Sequence, residues 1–251
     1  MKDEDLCKAS YWDERYAQAQ AQAQAGDNSN ASGQGDQNAN AGPTHEWFKG
    51  FASLKQPFLD KYLIGRWPPE RYSDLRILHL GSGDSTVPIE LLALGYKRQS
   101  CIDFSSVVIS KMAAQYADKD GLIEWIHGDV RDMRSSGIED NSIDVAFDKG
   151  TLDAMISGSP WDPPAQVREN VGRYLDEVAR VLRPGGVFLY VTFRQPHFMR
   201  PLLTRDQTWS LHLEELNDEQ GGSFGYFGWV MEKKEEKQHN DDHDNNNGNG
   251  N

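Results

Sequence analysis

The hydrophobic positions of this chain fall into short runs separated by longer amphipathic stretches, and the two alternate regularly. Five runs, Arg76–Leu80, Gln99–Asp103, Leu122–Ile126, Ile143–Phe147 and Val187–Val191, have the length and composition of strands buried on both faces. Helical patterns fill the gaps at Val87–Ala93, Ser105–Ala117 and Ala165–Leu182. The last repeats apolar residues at Val167, Val171, Tyr174, Leu175, Val178 and Leu182, the spacing of one helix face. Strands alternating with helices predict an α/β fold, a parallel sheet with helices on both faces. Two later stretches, Thr208–Leu216 and Gly225–Glu232, read as strands joined by a Gly-rich turn. They predict an antiparallel pair on the C-terminal edge, giving seven strands in all. No internal repeat is visible.

Composition marks two segments as unable to build a core. Gln18–Gly42, within an insertion spanning 18–43, consists of Ala, Gln, Asn, Gly, Ser and Asp and is expected to be a disordered loop. Residues 235–251 form a polar, Asn-rich tail, also expected to be disordered. His239 and His243 lie in that tail, where nothing fixes ligand geometry, so no metal site is expected. The folded domain is expected over 44–234, with 1–17 as a separate N-terminal segment.

The formal net charge is −13, from 26 Lys+Arg against 39 Asp+Glu. Such a field repels nucleic-acid phosphates and anionic lipid, and favours a basic protein partner. Two cysteines, Cys7 and Cys101, give no disulfide framework. Met1–Ser10 has no apolar signal-peptide core, and the apolar runs are too short to span a bilayer. A cytoplasmic protein is expected, with neither nucleic acid nor membrane as partner.

The candidate chemistry gathers at the ends of the first strands. Gly81 and Gly83 sit in a strand-to-helix turn, where missing β-carbons allow close approach of a ligand. Asp103 ends the second run, where a carboxylate accepts hydrogen bonds from ribose hydroxyls. Asp129 follows the third run and is placed to meet an adenine edge. These carboxyl ends converge on the crevice where open α/β sheets bind ligands. A dinucleotide fingerprint wants a third glycine, but position 86 is Thr. The ligand read from these residues is therefore S-adenosylmethionine rather than NAD.

Further motifs carry a resemblance. They are YWDERY (11–16), EWFKGF (46–51), LHLGSGDS (78–85), IDFSSVV (102–108), DKGTLD (148–153) and PHF (196–198). Together they resemble the methyltransferase-like family that contains lysine methyltransferases of translation elongation factor 1-alpha. The likeness runs from about Tyr11 to Lys233, apart from the Ala/Gln insertion, which lengthens a link that is short in the family. It implies a Rossmann-like seven-strand methyltransferase sheet and S-adenosylmethionine-dependent methylation of a lysine on a basic, elongation factor 1-alpha-like protein. It also implies an N-terminal lid over the cofactor, with Trp12, Tyr16 and Trp47 as contacts. Aromatic faces there can meet the sulfonium through cation–π attraction. Gly81, Asp103, Phe104, Asp129, Val130 and Lys149 match the remainder of the cofactor shell.

A lysine nucleophile must lose a proton before it attacks, and Asp148 and Asp153 are the candidates to orient it or accept that proton. Asp153 could equally cap or brace a turn. Two further readings share these motifs: a small-molecule methyltransferase, and a catalytically silent module that only binds S-adenosylmethionine.

Overall fold

The computed structural model describes residues 3–27, 46–119, 121–216 and 225–235. Its centre is a seven-stranded sheet in the order β3-β2-β1-β4-β5-β7-β6. The strands are β1 (Arg76–Leu80), β2 (Arg98–Asp103), β3 (Ile123–His127), β4 (Ile143–Lys149), β5 (Leu182–Thr192), β6 (Trp209–Glu215) and β7 (Phe227–Lys233). β1 to β5 are parallel, while β7 pairs antiparallel with β5 and with β6. All seven predicted strands are present, and the antiparallel pair closes the C-terminal edge as expected. β5 begins where helix Ala165–Val181 ends, so Leu182 belongs to the strand. The register shift between Ile143 and Val145 takes up its Pro-Gly-Gly entrance.

Strand alternation divides the core into two layers. Leu78, Leu80, Ala146, Phe188 and Tyr190 face one side. Ile77, Val145, Phe147, Val187, Leu189 and Val191 face the other. The first side is covered by α7 (Ala165–Val181), which buries Val167, Val171, Tyr174, Leu175 and Val178. The second is covered by α4 (Val87–Ala93) and a helical stretch over 51–62, α-helical at Phe51–Leu54 (α2) and Asp60–Tyr62 (α3). A π-helical turn at Lys55–Leu59 joins α2 and α3 around Pro57, which has no N–H to donate. Phe58 in that turn lies so close to Gly228 of β7 that any β-carbon there would sit 2.4 Å from its ring. The described residues also form α5 (Ser106–Gln115), α6 (Thr151–Met155) and α8 (Pro196–Leu203).

The N-terminal segment departs from expectation. A single helix, α1 (Ala9–Asp27), continues through the Ala/Gln run, so the expected disorder from Gln18 does not hold for 18–27. The expected boundary at 17/18 falls inside this helix. Lack of apolar side chains prevents a segment from building a core, but helix hydrogen bonds are local, and Ala and Gln are good helix formers. The rest of the insertion, the Gly-rich turn before β7 and the tail with His239 and His243 lie outside the described residues. No helix among the described residues is long and apolar enough to cross a membrane.

Candidate active site

The carboxyl ends of β1, β2 and β4 open into a cleft of about 420 Å³. That volume suits a small organic ligand. At its floor Gly81 and Gly83 adopt left-handed backbones, with φ of 59° and 54°. Added β-carbons would sit 2.2 Å from Thr151 Oγ1 and 2.7 Å from the Tyr16 hydroxyl, respectively. These glycines are therefore fixed by backbone sign and protein neighbours, as well as by room for a ligand. Thr151 closes the turn from the other side, its hydroxyl donating to the Leu80 carbonyl at 2.8 Å.

Asp103 is buried at the end of β2 and also lines the cleft. Its carboxylate accepts from Gly83 N–H at 3.0 Å and Ser105 N–H at 2.9 Å. One acid thus ties the glycine turn to the start of α5, and each oxygen retains a lone pair. Burial raises its pKa to about 6, against the opposing pull of those two hydrogen bonds. Phe104, Asp129 and Val130 line the same wall. The Asp129 carboxylate is clamped by Arg131, with Nη2 at 2.7 Å, so it acts within its own turn as well as facing the cleft.

The cleft is roofed from outside the sheet. Trp12 and Tyr16 of α1 are buried against Val108, Ile109 and Met112 of α5. Asp13 fastens the helix by accepting from Ser105 Oγ at 2.6 Å. Trp12 donates its indole N–H to Leu6 O at 2.7 Å and packs on Trp47 at 5.4 Å between ring centroids. Trp47 is held by Lys149, whose ammonium donates to the Trp47 carbonyl at 2.5 Å and to Glu46 Oε1 at 2.6 Å. Glu46 also accepts from Ser85 Oγ, Thr86 N–H and Thr86 Oγ at the start of α4. Lys149 therefore latches the roof to β4 while lining the cleft.

The two acids of the DKGTLD motif part company. Asp148 is fully buried, and its carboxylate accepts from Thr151 N–H, Leu152 N–H and the Tyr174 hydroxyl at 2.7, 3.0 and 2.7 Å. It caps α6, is not among the residues lining the cleft, and burial raises its pKa to about 7. Asp153, one turn later, does line the cleft. It accepts from Tyr190 and Thr192 hydroxyls at 2.6 and 2.7 Å, with Arg194 Nε at 3.5 Å. Burial raises its pKa to about 6 against the pull of those hydroxyls and Arg194.

The charge pattern tests which ligand fits. The cations lining the cleft are Arg131, Lys149 and Arg194, and each is already held by a carboxylate, from Asp129, Glu46 and Asp153. Among the described residues a pyrophosphate would meet no uncommitted cation there, whereas a sulfonium would meet aromatic rings and acids. The donor set fits the expected S-adenosylmethionine and not a dinucleotide.

Comparison with known proteins agrees. A family model described as a methyltransferase domain matches residues 72–241. EEF1A lysine methyltransferase 4 of Mus musculus is 33% identical over 207 residues, covering 81% of this chain and 68% of that protein. The chain belongs to this methyltransferase family. The Bos taurus eEF1A lysine and N-terminal methyltransferase is 33% identical over 125 residues, half of this chain but 17% of that larger protein. A solved structure from work on conversion of a disulfide bond into a thioacetal group during echinomycin biosynthesis aligns with a TM-score of 0.53. It covers 73% of this chain and 81% of that one, at 17% identity, and shows the fold alone.

Sequence reasoning about this methyltransferase missed Glu46, Thr151, Phe193 and Arg194. Glu46 stood in a recognised motif, but its partners lie 39 or more residues away. Phe193 and Arg194 directly follow β5, two and three residues past the predicted end of that strand at Val191, so the rule that ligands gather at strand carboxyl ends was the available signal.

Proposed function

We propose that this protein transfers a methyl group from S-adenosylmethionine to a lysine of an elongation factor 1-alpha-like protein in the cytosol. The observation that carries the reading is the cleft: buried Asp103 and the Gly81–Gly83 turn share it with Asp153, under the Trp12–Tyr16–Trp47 roof. The target is supported by the eEF1A lysine methyltransferases that the chain resembles. Bound in the cleft, S-adenosylmethionine supplies an electrophilic methyl group on a good leaving group. The remaining work is alignment and exclusion of water. Asp103 accepts from ribose hydroxyls with its remaining lone pairs, while Phe104, Asp129 and Val130 line the adenine wall. Trp12, Tyr16 and Trp47 cover the site, and Lys149 keeps them in place. Asp153 receives the ammonium of the target lysine, orients it and takes the proton that must leave before the amine attacks the methyl group, whereas Asp148 holds α6.

Incubation with labelled S-adenosylmethionine and recombinant elongation factor 1-alpha tests the reading, and label on a lysine of that protein is expected. Label only in small molecules, or none, would sink it. Asp103→Ala should weaken cofactor affinity by about 1–3 kcal/mol in calorimetric titration, as ribose hydroxyls lose their acceptor.

A further inference from the structure

Four large hydrophobic side chains among the described residues are markedly exposed: Leu94, Leu122, Trp161 and Phe193. Phe193, 49% exposed, is the one that lines the cleft. It follows Thr192, which ends β5 and donates its hydroxyl to Asp153, and Phe193 and Asp153 line the same cleft. A half-exposed ring in a cleft shared with a buried carboxylate is placed to meet a ligand rather than to fill the core.

Its neighbours hold it in place. The Phe48 ring meets it edge-to-face, with centroids 5.4 Å apart and an interplanar angle of 75°. The Arg194 guanidinium lies over the Phe193 ring at 5.5 Å and donates to the Asp153 and Ile156 carbonyls. Phe48 itself adopts φ of 62°, an unfavourable left-handed backbone for a bulky residue. The surroundings fix that conformation. The preceding carbonyl is held by Lys149, and the ring covers Gly150 so closely that a β-carbon there would lie 2.8 Å from it. Strain stored at a cleft mouth to aim an aromatic ring is the signature of a recognition element.

We propose that Phe48 and Phe193 wall the channel that takes the target lysine, a reading that rests on the lysine methyltransferase function above. The lysine stem packs along the two rings. Its ammonium meets their negative faces on the way to Asp153. A cation is the occupant that this chemistry selects. The rings offer quadrupoles, Asp153 in the same cleft offers a carboxylate that it shares with Arg194, and the chain carries a net charge of −13.

The experiment compares F193L and F193Y with wild type in steady-state methylation of recombinant elongation factor 1-alpha, with cofactor Kd measured separately by calorimetry. F193L keeps apolar bulk and loses the quadrupole. Its KM for the protein substrate should rise roughly fivefold to thirtyfold, the range that cation–π contacts of about 1–2 kcal/mol span at 1.4 kcal/mol per decade. Its cofactor Kd should stay within twofold, and F193Y should keep KM near wild type. A KM for F193L within twofold of wild type overturns the channel while leaving the function standing. So does equal damage from F193Y. Wild-type protein that leaves the factor unmethylated overturns the function, and the channel falls with it.

Discussion

Replacing Glu46 by glutamine removes one charge and little else. In the wild-type protein its carboxylate holds Lys149 at 2.6 Å and accepts from Ser85 and Thr86. The Lys149 side chain is only 6% exposed, so E46Q leaves a buried ammonium with the Trp47 carbonyl as its remaining strong acceptor. Breaking a buried pair from one side costs about 3–5 kcal/mol. Glu46 is itself 20% exposed and the carbonyl remains, so a loss of about 2–4 kcal/mol is expected here. For a chain of this size that lowers Tm by about 4–16 °C.

The pH dependence follows from the same pair. Burial pushes the Lys149 pKa down, and Glu46 opposes that push, so without Glu46 it falls further. The folded variant then binds fewer protons than the unfolded chain. Its deficit is full below the folded pKa and shrinks as pH rises towards the ordinary lysine value. On the acid side, burial pushes Glu46 up, but Lys149 and the hydrogen bonds outweigh it and hold its pKa below the usual range. Its contribution is therefore present above the ordinary glutamate value and lost as pH falls through the lowered one. Urea and thermal unfolding of wild type, E46Q, K149M and the double variant at pH 7, at pH 9.5 and at a pH below the ordinary glutamate value measure all of this. The double-mutant cycle should give a coupling of at least about 1.5 kcal/mol. A Tm for E46Q within 2 °C of wild type, or additive single substitutions, would refute the latch.

Removing residues 1–17 should weaken cofactor affinity at least about tenfold, or 1.4 kcal/mol, because Trp12 and Tyr16 roof the cleft and bury part of α5; calorimetric affinity equal to the full chain would show that they serve packing alone. D148N keeps the shape of the α6 cap and should retain methyl transfer within about tenfold, whereas loss of a general base costs about 10²–10⁴; a loss of that size in kcat would restore Asp148 as a catalytic group. Because burial raises Asp148 to about 7, wild-type stability should fall as pH rises from the ordinary aspartate value through about 7, and D148N should flatten that slope in pH-dependent unfolding.

Much of the fold was legible because strands buried on both faces leave continuous apolar runs, as at Ile77–Leu80 and Val187–Val191. The gathering of Gly81, Asp103 and Asp129 on one cleft was legible from strand order, since each stands at or shortly after the end of a predicted strand. The helix through Ala17–Asp27 was not, because its sequence holds no Leu, Ile, Val or aromatic residue to form a stripe, and helix hydrogen bonds leave no compositional trace beyond helix-forming Ala and Gln. The 51–62 stretch was hidden by Pro57, which reads as a break but is absorbed by a π-helical turn. The latch was hidden by distance: nothing local to Glu46 says that its carboxylate joins the start of α4 to the end of β4.

Asp148 and Asp153 show why a motif can name the right turn and leave the roles of its acids open. Both are buried, both sit within one turn of α6, and burial raises the pKa of both. What separates them is which donors reach them. Asp148, at the end of β4, receives two backbone N–H groups of α6 and the Tyr174 hydroxyl of α7, which fixes the near end of α6 to the core. Asp153 receives two hydroxyls from β5, Tyr190 and Thr192, which fix the far end to the next strand and leave the acid at the cleft wall. The helix is therefore pinned at both ends by carboxylates whose donors come from different layers of the fold. An acid anchored in this way reorganises little when a cation arrives, and preorganisation of that kind is what alignment of a lysine nucleophile requires.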